Sequence, residues 1–278
     1  MISKIQQIDK QDLSWFIGFF VGDGYTTRGR IGIDTTSPDA ASKILSILQN
    51  LSDKVKVEIY GNPEIFSNLT KNALFYPRRK SHHSDYVKIR IDDTKFQKEF
   101  VEFKEKYIKN VSYDLIGDFL MGFFDAEATV SPVGQIEIDL AKESKILTEL
   151  IGSLLTKLEI KHKIKEHKSR IRLEVLGTSR NIQNLIKFQK YINFYDRRKK
   201  AELKNMIRIY SISRNKPADI KYSILTYIKE NPSAELKTLM TVLNVKYDFL
   251  NNSLNSLIKN GKIEKFELKK RKCFKILS

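Results

Sequence analysis

Cysteine is almost missing from this chain of 278 residues. Cys273 stands alone, so no intramolecular disulfide can form and no zinc cluster of cysteines can be built. The four histidines (His82, His83, His162 and His167) form no recognisable ligand set. No apolar run reaches bilayer-spanning length, since Trp15 to Val21 is too short. The start, Met1-Ile2-Ser3-Lys4-Ile5-Gln6-Gln7, is too polar for a secretory signal. These absences predict an intracellular protein in a reducing compartment, cytoplasm or organelle matrix, with no membrane partner. Acids are also in deficit. Lys and Arg number 50 against 33 Asp and Glu, a net charge of +17, which points to a polyanion partner and first of all to nucleic acid. Hydrophobic residues make up 41%, enough for a substantial core, and the length allows one to three domains.

Two short apolar stretches share one pattern. The first is Phe16-Ile17-Gly18-Phe19-Phe20-Val21-Gly22-Asp23-Gly24; the second is Leu120-Met121-Gly122-Phe123-Phe124-Asp125-Ala126-Glu127-Ala128. Each carries small residues four apart (Gly18 and Gly22; Gly122 and Ala126) and an acid one place later; Asp23 and Glu127 are 104 positions apart. Residues at i and i+4 share a helix face, so two such helices can pack with their backbones nearly touching. That packing would bring Asp23 and Glu127 together at one end of the pair. A carboxylate at a helix C-terminus meets the negative end of the macrodipole. Doing so twice makes sense if a cation lies between the two ends.

The elements around these stretches repeat. In the first half a helix is expected from about Asp12 to Gly22, then extended chain from Tyr25 to Thr36 bent at Arg28-Gly29. A helix opens at Ser37-Pro38-Asp39, with Asp39 as its cap. A strand covers Val55 to Tyr60, a polar stretch of about two dozen residues follows, and Tyr86 to Ile91 alternates as a strand. A helix with Phe96, Phe100 and Phe103 closes the unit. In the second half the same order runs through a helix from Tyr113 to Ala126, a hairpin turning at Pro132-Val133-Gly134, a helix from Glu143 to Leu158, a hairpin around Lys168-Ser169, and a helix from about Arg180 capped by Ser179. A last helix carries Arg197-Arg198-Lys199-Lys200 and runs to about Tyr210.

Ser213 to Pro217 reads as a linker. Beyond it, three helices are expected at Asp219–Lys229, Glu235–Leu243 and Tyr247–Asn260, the last stopped by Gly261. Two alternating strands then flank Lys269-Lys270-Arg271-Lys272. This set resembles a winged helix-turn-helix module. The expected organisation is residues 1–110, 111–212 and 217–278.

The paired signature resembles the LAGLIDADG homing endonucleases in their single-chain, two-motif form, over roughly residues 10 to 210. The resemblance implies an α+β fold of two pseudo-symmetric αββαββα units forming a saddle-shaped sheet surface. The acidic eighth motif positions, Asp23 and Glu127, would hold the catalytic metal. The third position is glycine in both copies; the ninth is Gly24 in one and Ala128 in the other, and the sixth is Val21 and Asp125. Mg²⁺ favours few carboxylates and several retained waters, and carbonyls of Gly22 and Ala126 would help to hold it. Two or three ions are expected, with Mn²⁺ substituting and Ca²⁺ supporting binding without cleavage. By alignment with the family, Lys142, Arg197 and Lys199 are basic catalytic candidates in the second half, and Lys88 or Lys109 in the first.

The implied activity is site-specific double-strand cleavage of a long pseudo-palindromic duplex by a monomer. Twisted strands can follow a major groove, and Arg28, Arg30, Asp34, Lys88, Arg90, Gln135, Glu137, Arg170, Arg172 and Glu174 are candidate readers. In the tail, helix-turn-helix geometry would present Lys246, Tyr247, Asn251, Asn252 and Asn255 to DNA. Two alternatives stay open: a DNA-binding regulator that does not cut, and a maturase acting on intron RNA.

Overall fold

The computed structural model describes residues 2–69, 71, 73–78, 84–130, 135–177, 181–212, 217–243, 245, 247–268 and 271–277. A single helical turn, α1 (Ile2–Ile5), precedes α2 (Lys10–Asp23). Asp9 caps α2, accepting from the amides of Gln11 and Asp12, so the helix begins earlier than the apolar stripe suggested. The hairpin β1 (Gly24–Thr27) and β2 (Arg30–Thr35) turns at Gly29, whose φ of 74° favours glycine. Helix α3 (Pro38–Leu51) follows. Its N-cap is Ser37, accepting from Ala40, while Asp39 lies in the first turn and does not serve as the cap.

Strand β3 (Val55–Tyr60) has the expected bounds. The polar stretch after it holds two elements that alternation could not reveal: a 3₁₀ segment, Pro63–Leu69, and the short edge strand β4 (Leu74–Tyr76), parallel to β3. Strand β5 (Tyr86–Asp92) and α4 (Thr94–Lys109), capped by Asp93, complete the first αββαββα set.

The second set is α5 (Ile116–Glu127), β6 (Thr129–Val130), β7 (Ile136–Ala141), α6 (Lys145–Lys157), β8 (His162–Glu166), β9 (Arg170–Val175) and α7 (Ile182–Tyr191). Short 3₁₀ turns at Tyr113–Leu115 and Lys142–Ser144 lead into α5 and α6 where continuous helix was expected. The turn at Pro132 to Gly134 and the Ser179 cap lie outside the described residues. The first sheet has the order β1-β2-β5-β3-β4 and the second β6-β7-β9-β8. The same α+β plan is therefore written twice, with β4 added to the first copy. Helix α8 (Arg197–Ile212) follows.

The tail contains α9 (Pro217–Glu230), β10 (Ala234–Glu235), α10 (Leu236–Leu243), α11 (Tyr247–Lys259), β11 (Ile263–Leu268) and β12 (Arg271–Ile276). Pro217 opens α9 instead of belonging to a linker, and β12 begins at Arg271, inside the expected basic turn. Ile224, Leu239, Leu250, Leu254 and Ile263 are fully buried in a core of the tail's own. By compactness the chain forms two units. One comprises residues 1–128, 149–158 and 191–200; the other comprises 129–148, 159–190 and 201–278. Among the described residues no helix is long and apolar enough to cross a membrane.

Within the first unit, α2 lies against α5. An added Cβ on Gly18 would sit 1.9 Å from the Phe119 carbonyl oxygen, and one on Gly122 would sit 1.9 Å from that of Trp15. Trp15 and Phe119 are themselves 104 positions apart, so the two contacts are one contact made twice. Phe16, Phe19, Phe119 and Phe123 are buried beside it. On the other side of α2, Phe100 of α4 packs on Phe20 with ring centroids 4.8 Å apart, a contact worth about 0.5–1.5 kcal/mol beyond its buried area.

Neither glycine can gain a side chain without parting the helices. Gly18→Ala and Gly122→Ala are each expected to cost at least about 2 kcal/mol in urea unfolding. Gly261→Ala should cost about 1–2 kcal/mol, through its φ of 62° alone, since nothing lies within 4 Å of that position. Losses at Gly18 and Gly122 below about 1 kcal/mol would mean that the helix contact is not close-packed.

Candidate metal and nucleic-acid site

The close contact sets the position of the acids. Helices α2 and α5 both end immediately after it, where Gly24 N–H donates to Phe20 and Ala128 N–H to Phe124. A Cβ on Gly22 would lie 2.7 Å from Ala126 Cβ and 3.5 Å from Glu127 Oε1, so the two helix tips touch and the Glu127 carboxylate lies across Gly22. Burial pushes the Asp23 carboxyl up to about 7, helped by the negative charge of Glu127 and more weakly by Asp34, and opposed by Lys199. Glu127 is also raised by burial, with Lys199 opposing.

Lys199 is the counter-charge of this corner. It is buried at the start of α8, and its Nζ donates to the carbonyl oxygens of Asp125 (2.6 Å) and Phe124 (3.2 Å). It thereby caps the C-terminal end of α5, where a cation is favoured. Burial lowers its pKa, while Asp125, Asp196 and Asp23 hold it up.

Asp125 was read only as a motif position, yet it ties the corner together. Its carboxylate accepts from Trp15 Nε1 (2.8 Å) and from the amides of Tyr195 and Asp196. Burial raises it to about 6 even though those hydrogen bonds favour the charged form. The signal was present in the sequence as a charge inside an apolar helix, matched by the single tryptophan of the chain. Position 21, its counterpart on α2, is valine and needs no partner.

The structure thus brings Gly22, Asp23, Ala126, Glu127 and Lys199 together. Arg197 turns to Asp39, with Nε 2.8 Å from the carboxylate. Lys142 is exposed on a 3₁₀ turn in the second compact unit, near Glu166. Among the described residues no group of three or more His, Cys, Asp or Glu forms a metal cluster. The hard-oxygen set available is the carboxylate pair with the last carbonyls of two helices.

The expected readers fall on the outward faces of the sheets. Ile31, Ile33, Val87, Ile89 and Ile91 are fully buried on the inner face of the first sheet. By alternation, Arg30, Asp34, Lys88 and Arg90 lie on the other face. Lys88 pairs with Asp34 at 3.3 Å, Arg90 with Glu58 at 2.8 Å, and Arg30 with Asp92. Arg28 is exposed on the β1–β2 turn. In the second sheet Arg172 bridges Glu137 (2.6 Å) and Asp139 (2.7 Å), while Gln135 and Arg170 are exposed. Arg172 holds the Asp139 carboxyl below its usual range through hydrogen bonds. These faces are lattices of ion pairs, not bare cationic surfaces. In the tail, Asn252 and Asn255 are exposed on α11, Asn251 is half-buried, and Tyr247 opens the helix. Lys246 lies outside the described residues.

Residues 114–193, which run from before α5 to just past α7, match the LAGLIDADG-like domain family. A curated relative is elongation factor 2 of Methanopyrus kandleri, 22% identical over 228 residues. The match takes in 80% of this chain, which spans only 16% of that protein's length. Among solved structures, I-DmoI in complex with DNA and Ca gives a TM-score of 0.49 at 15% identity, covering 70% of this chain and 97% of that one. Full-length DUF199/WhiA from Thermatoga maritima gives 0.47 at 18% identity, covering 90% of each.

The electrostatics carry a test that needs no substrate. A carboxyl raised in the fold stabilises it fully below its unfolded pKa, and that contribution is lost as pH rises through the folded value. In metal-free protein, Asp23 should therefore make Tm fall as pH rises from its unfolded pKa, 3.8, to its folded one, about 7. Asp23→Asn should flatten that fall and raise Tm at pH 8. The same slope in both proteins would show that the Asp23 carboxyl is neither desolvated in the fold nor raised by Glu127.

Proposed function

We propose that this protein is a divalent-metal-dependent endonuclease of the LAGLIDADG homing type, cutting both strands of a long, pseudo-palindromic DNA site as a monomer. The observation that carries this reading is the meeting of Asp23 and Glu127 at the touching ends of α2 and α5, both supplied by one chain. Two half-buried carboxylates against two negative helix ends are poorly balanced by Lys199 alone. Such a donor set suits a hard cation that keeps several waters. Mg²⁺ fits, Mn²⁺ would substitute, and Ca²⁺ would support binding without cleavage; two or three ions are in keeping with the family resemblance. Asp23, Glu127 and the carbonyls of Gly22 and Ala126 would hold the metal. When bound, it would lower the pKa of a water so that, on losing its proton, hydroxide can attack phosphorus, and would supply charge to steady the leaving oxygen.

The chain's own residues do the positioning. Lys199 fixes the end of α5 and offsets the charge of the acid pair. Asp125 holds the segment from Tyr195 to Asp196, and hence the start of α8, against α2 through Trp15. Arg197 and Lys142 are assigned to phosphate or water near the scissile groups. The outward faces of the two sheets read base edges, because acids, amides and arginines together suit bases better than phosphates. We assign residues 1–110 and 111–212 as the two repeats and 217–278 as a winged helix-turn-helix domain. Its α11 would enter the major groove with Tyr247, Asn251, Asn252 and Asn255, and Lys246 beside them.

Offered a randomised duplex library with Mg²⁺, the protein should cut a defined site. Asp23→Asn or Glu127→Gln should lower the cleavage rate by about 100-fold or more while leaving binding in Ca²⁺ within a few-fold. Binding without cleavage by the wild type would favour a regulator, and binding only to structured RNA would favour a maturase.

The tail makes a separate prediction. Asn252→Asp with Asn255→Asp should weaken duplex binding about tenfold and leave the single-turnover cleavage rate at saturating DNA unchanged. An unaltered Kd would remove α11 from the DNA interface.

A further inference from the structure

A chain of polar contacts runs through the first compact unit from α3 to the acid corner. It begins at Lys43 of α3, whose side chain is only 15% exposed. The Lys43 Nζ lies 4.7 Å from the centre of the Trp15 ring and 4.5 Å from that of Tyr195, and it pairs with Asp12 at 2.7 Å. The two rings are themselves 5.4 Å apart. A cation held over an aromatic face is attracted by it, more strongly when water is excluded. Both aromatic residues bind Asp125, Trp15 through its indole N–H and Tyr195 through its amide. The Asp196 amide also donates to Asp125, and the Asp196 carboxylate accepts from the amide of Lys199 at 2.9 Å. Lys199 Nζ closes the circuit on the carbonyl of Asp125.

The other copy has apolar residues at these places. Buried Ala41, Ile44, Ile47, Leu48 and Leu51 match buried Thr148, Ile151, Leu154, Leu155 and Leu158 at a constant spacing of 107 positions. Lys43 therefore corresponds to Leu150. Trp15 has Phe119 as its counterpart, and Asp125 has Val21. A carboxylate or an ammonium in apolar surroundings is costly by itself. Here one indole serves both, giving its N–H to Asp125 and its face to Lys43. The three polar groups make sense as a set and not singly.

We infer that Lys43 is a positioning residue for the acid corner: through Trp15 and Tyr195 it fixes Asp125, and through Asp125 and Asp196 it fixes Lys199 beside Asp23 and Glu127. Its consequence for cleavage rests on the endonuclease reading above; its consequence for the segment from Tyr195 to Lys199 does not.

The test compares Lys43→Met, which keeps an apolar stem without the charge, with Lys43→Arg, which keeps the charge. In the metal-free full chain, Lys43→Met should speed amide hydrogen exchange at Tyr195 and Asp196 about tenfold and leave the amide of Leu254, in the core of the tail, unchanged. Trp15 is the single tryptophan of the chain, so intrinsic fluorescence reads the same place and should change with it. With Mg²⁺ and saturating DNA, the single-turnover cleavage rate should fall about tenfold or more, while Kd in Ca²⁺ stays within a few-fold. Lys43→Arg should restore exchange, fluorescence and rate. Should Lys43→Met fail to fold, Tyr195→Leu, which removes one ring and keeps the amide, must speed exchange at Asp196. Wild-type exchange at Tyr195 and Asp196 in a folded variant overturns the inference, and so does faster exchange with an unaltered cleavage rate. Absence of cleavage by the wild type would remove the endonuclease reading instead, and the exchange rates would still decide what Lys43 holds in place.

Discussion

The contact on which the rest depends is between two backbones. Gly18 lies against the carbonyl of Phe119, and Gly122 against that of Trp15, at separations that leave no room for a methyl group. Such approach permits weak Cα–H···O contacts, but its larger effect is geometric. Helices held this close must end side by side if they end in register, and both end one residue before Gly24 or Ala128. The acids stand together because small residues recur at one spacing on two helix faces. No local feature near the acids would suffice without the contact further down the helices.

Placing two acids at two negative helix ends is unfavourable, and the surroundings offset only part of that cost. Lys199 neutralises the end of α5, and Asp125 is stabilised by an indole and two amides. Asp23 has less support and is the group driven furthest from its ordinary range. The corner is therefore asymmetric although the helices that build it are equivalent. Most of the polar investment is on α5, and the uncompensated charge is on α2.

Sequence was informative where physics is local. The alternation in β3 and β5, the small residues of α2 and α5 and the Ser37-Pro38 opening of α3 each fix a neighbourhood of a few residues, and the elements follow. The meeting of Asp23 and Glu127 was legible because the same spacing appears twice. The short strand β4 was not, because Leu74 to Tyr76 is a strand only by virtue of pairing with β3. The hold of Asp125 on Tyr195 and Asp196 spans about 70 residues, and no spacing rule reaches so far. Lys199 could be chosen from its basic run, but not its service as a cap for α5, since that depends on where α8 begins in space. The ion-pair lattices were likewise hidden, because register decides which charges meet.

Position 21 and position 125 illustrate what a single chain with two copies makes available. One is valine and the other aspartate, and only the second required an indole and two amides to satisfy it. In an assembly of identical subunits every such novelty would arrive in duplicate, and each would have to be tolerated twice at the symmetry axis. In one chain the two positions can differ independently, so the partners that Asp125 requires are needed on one helix alone.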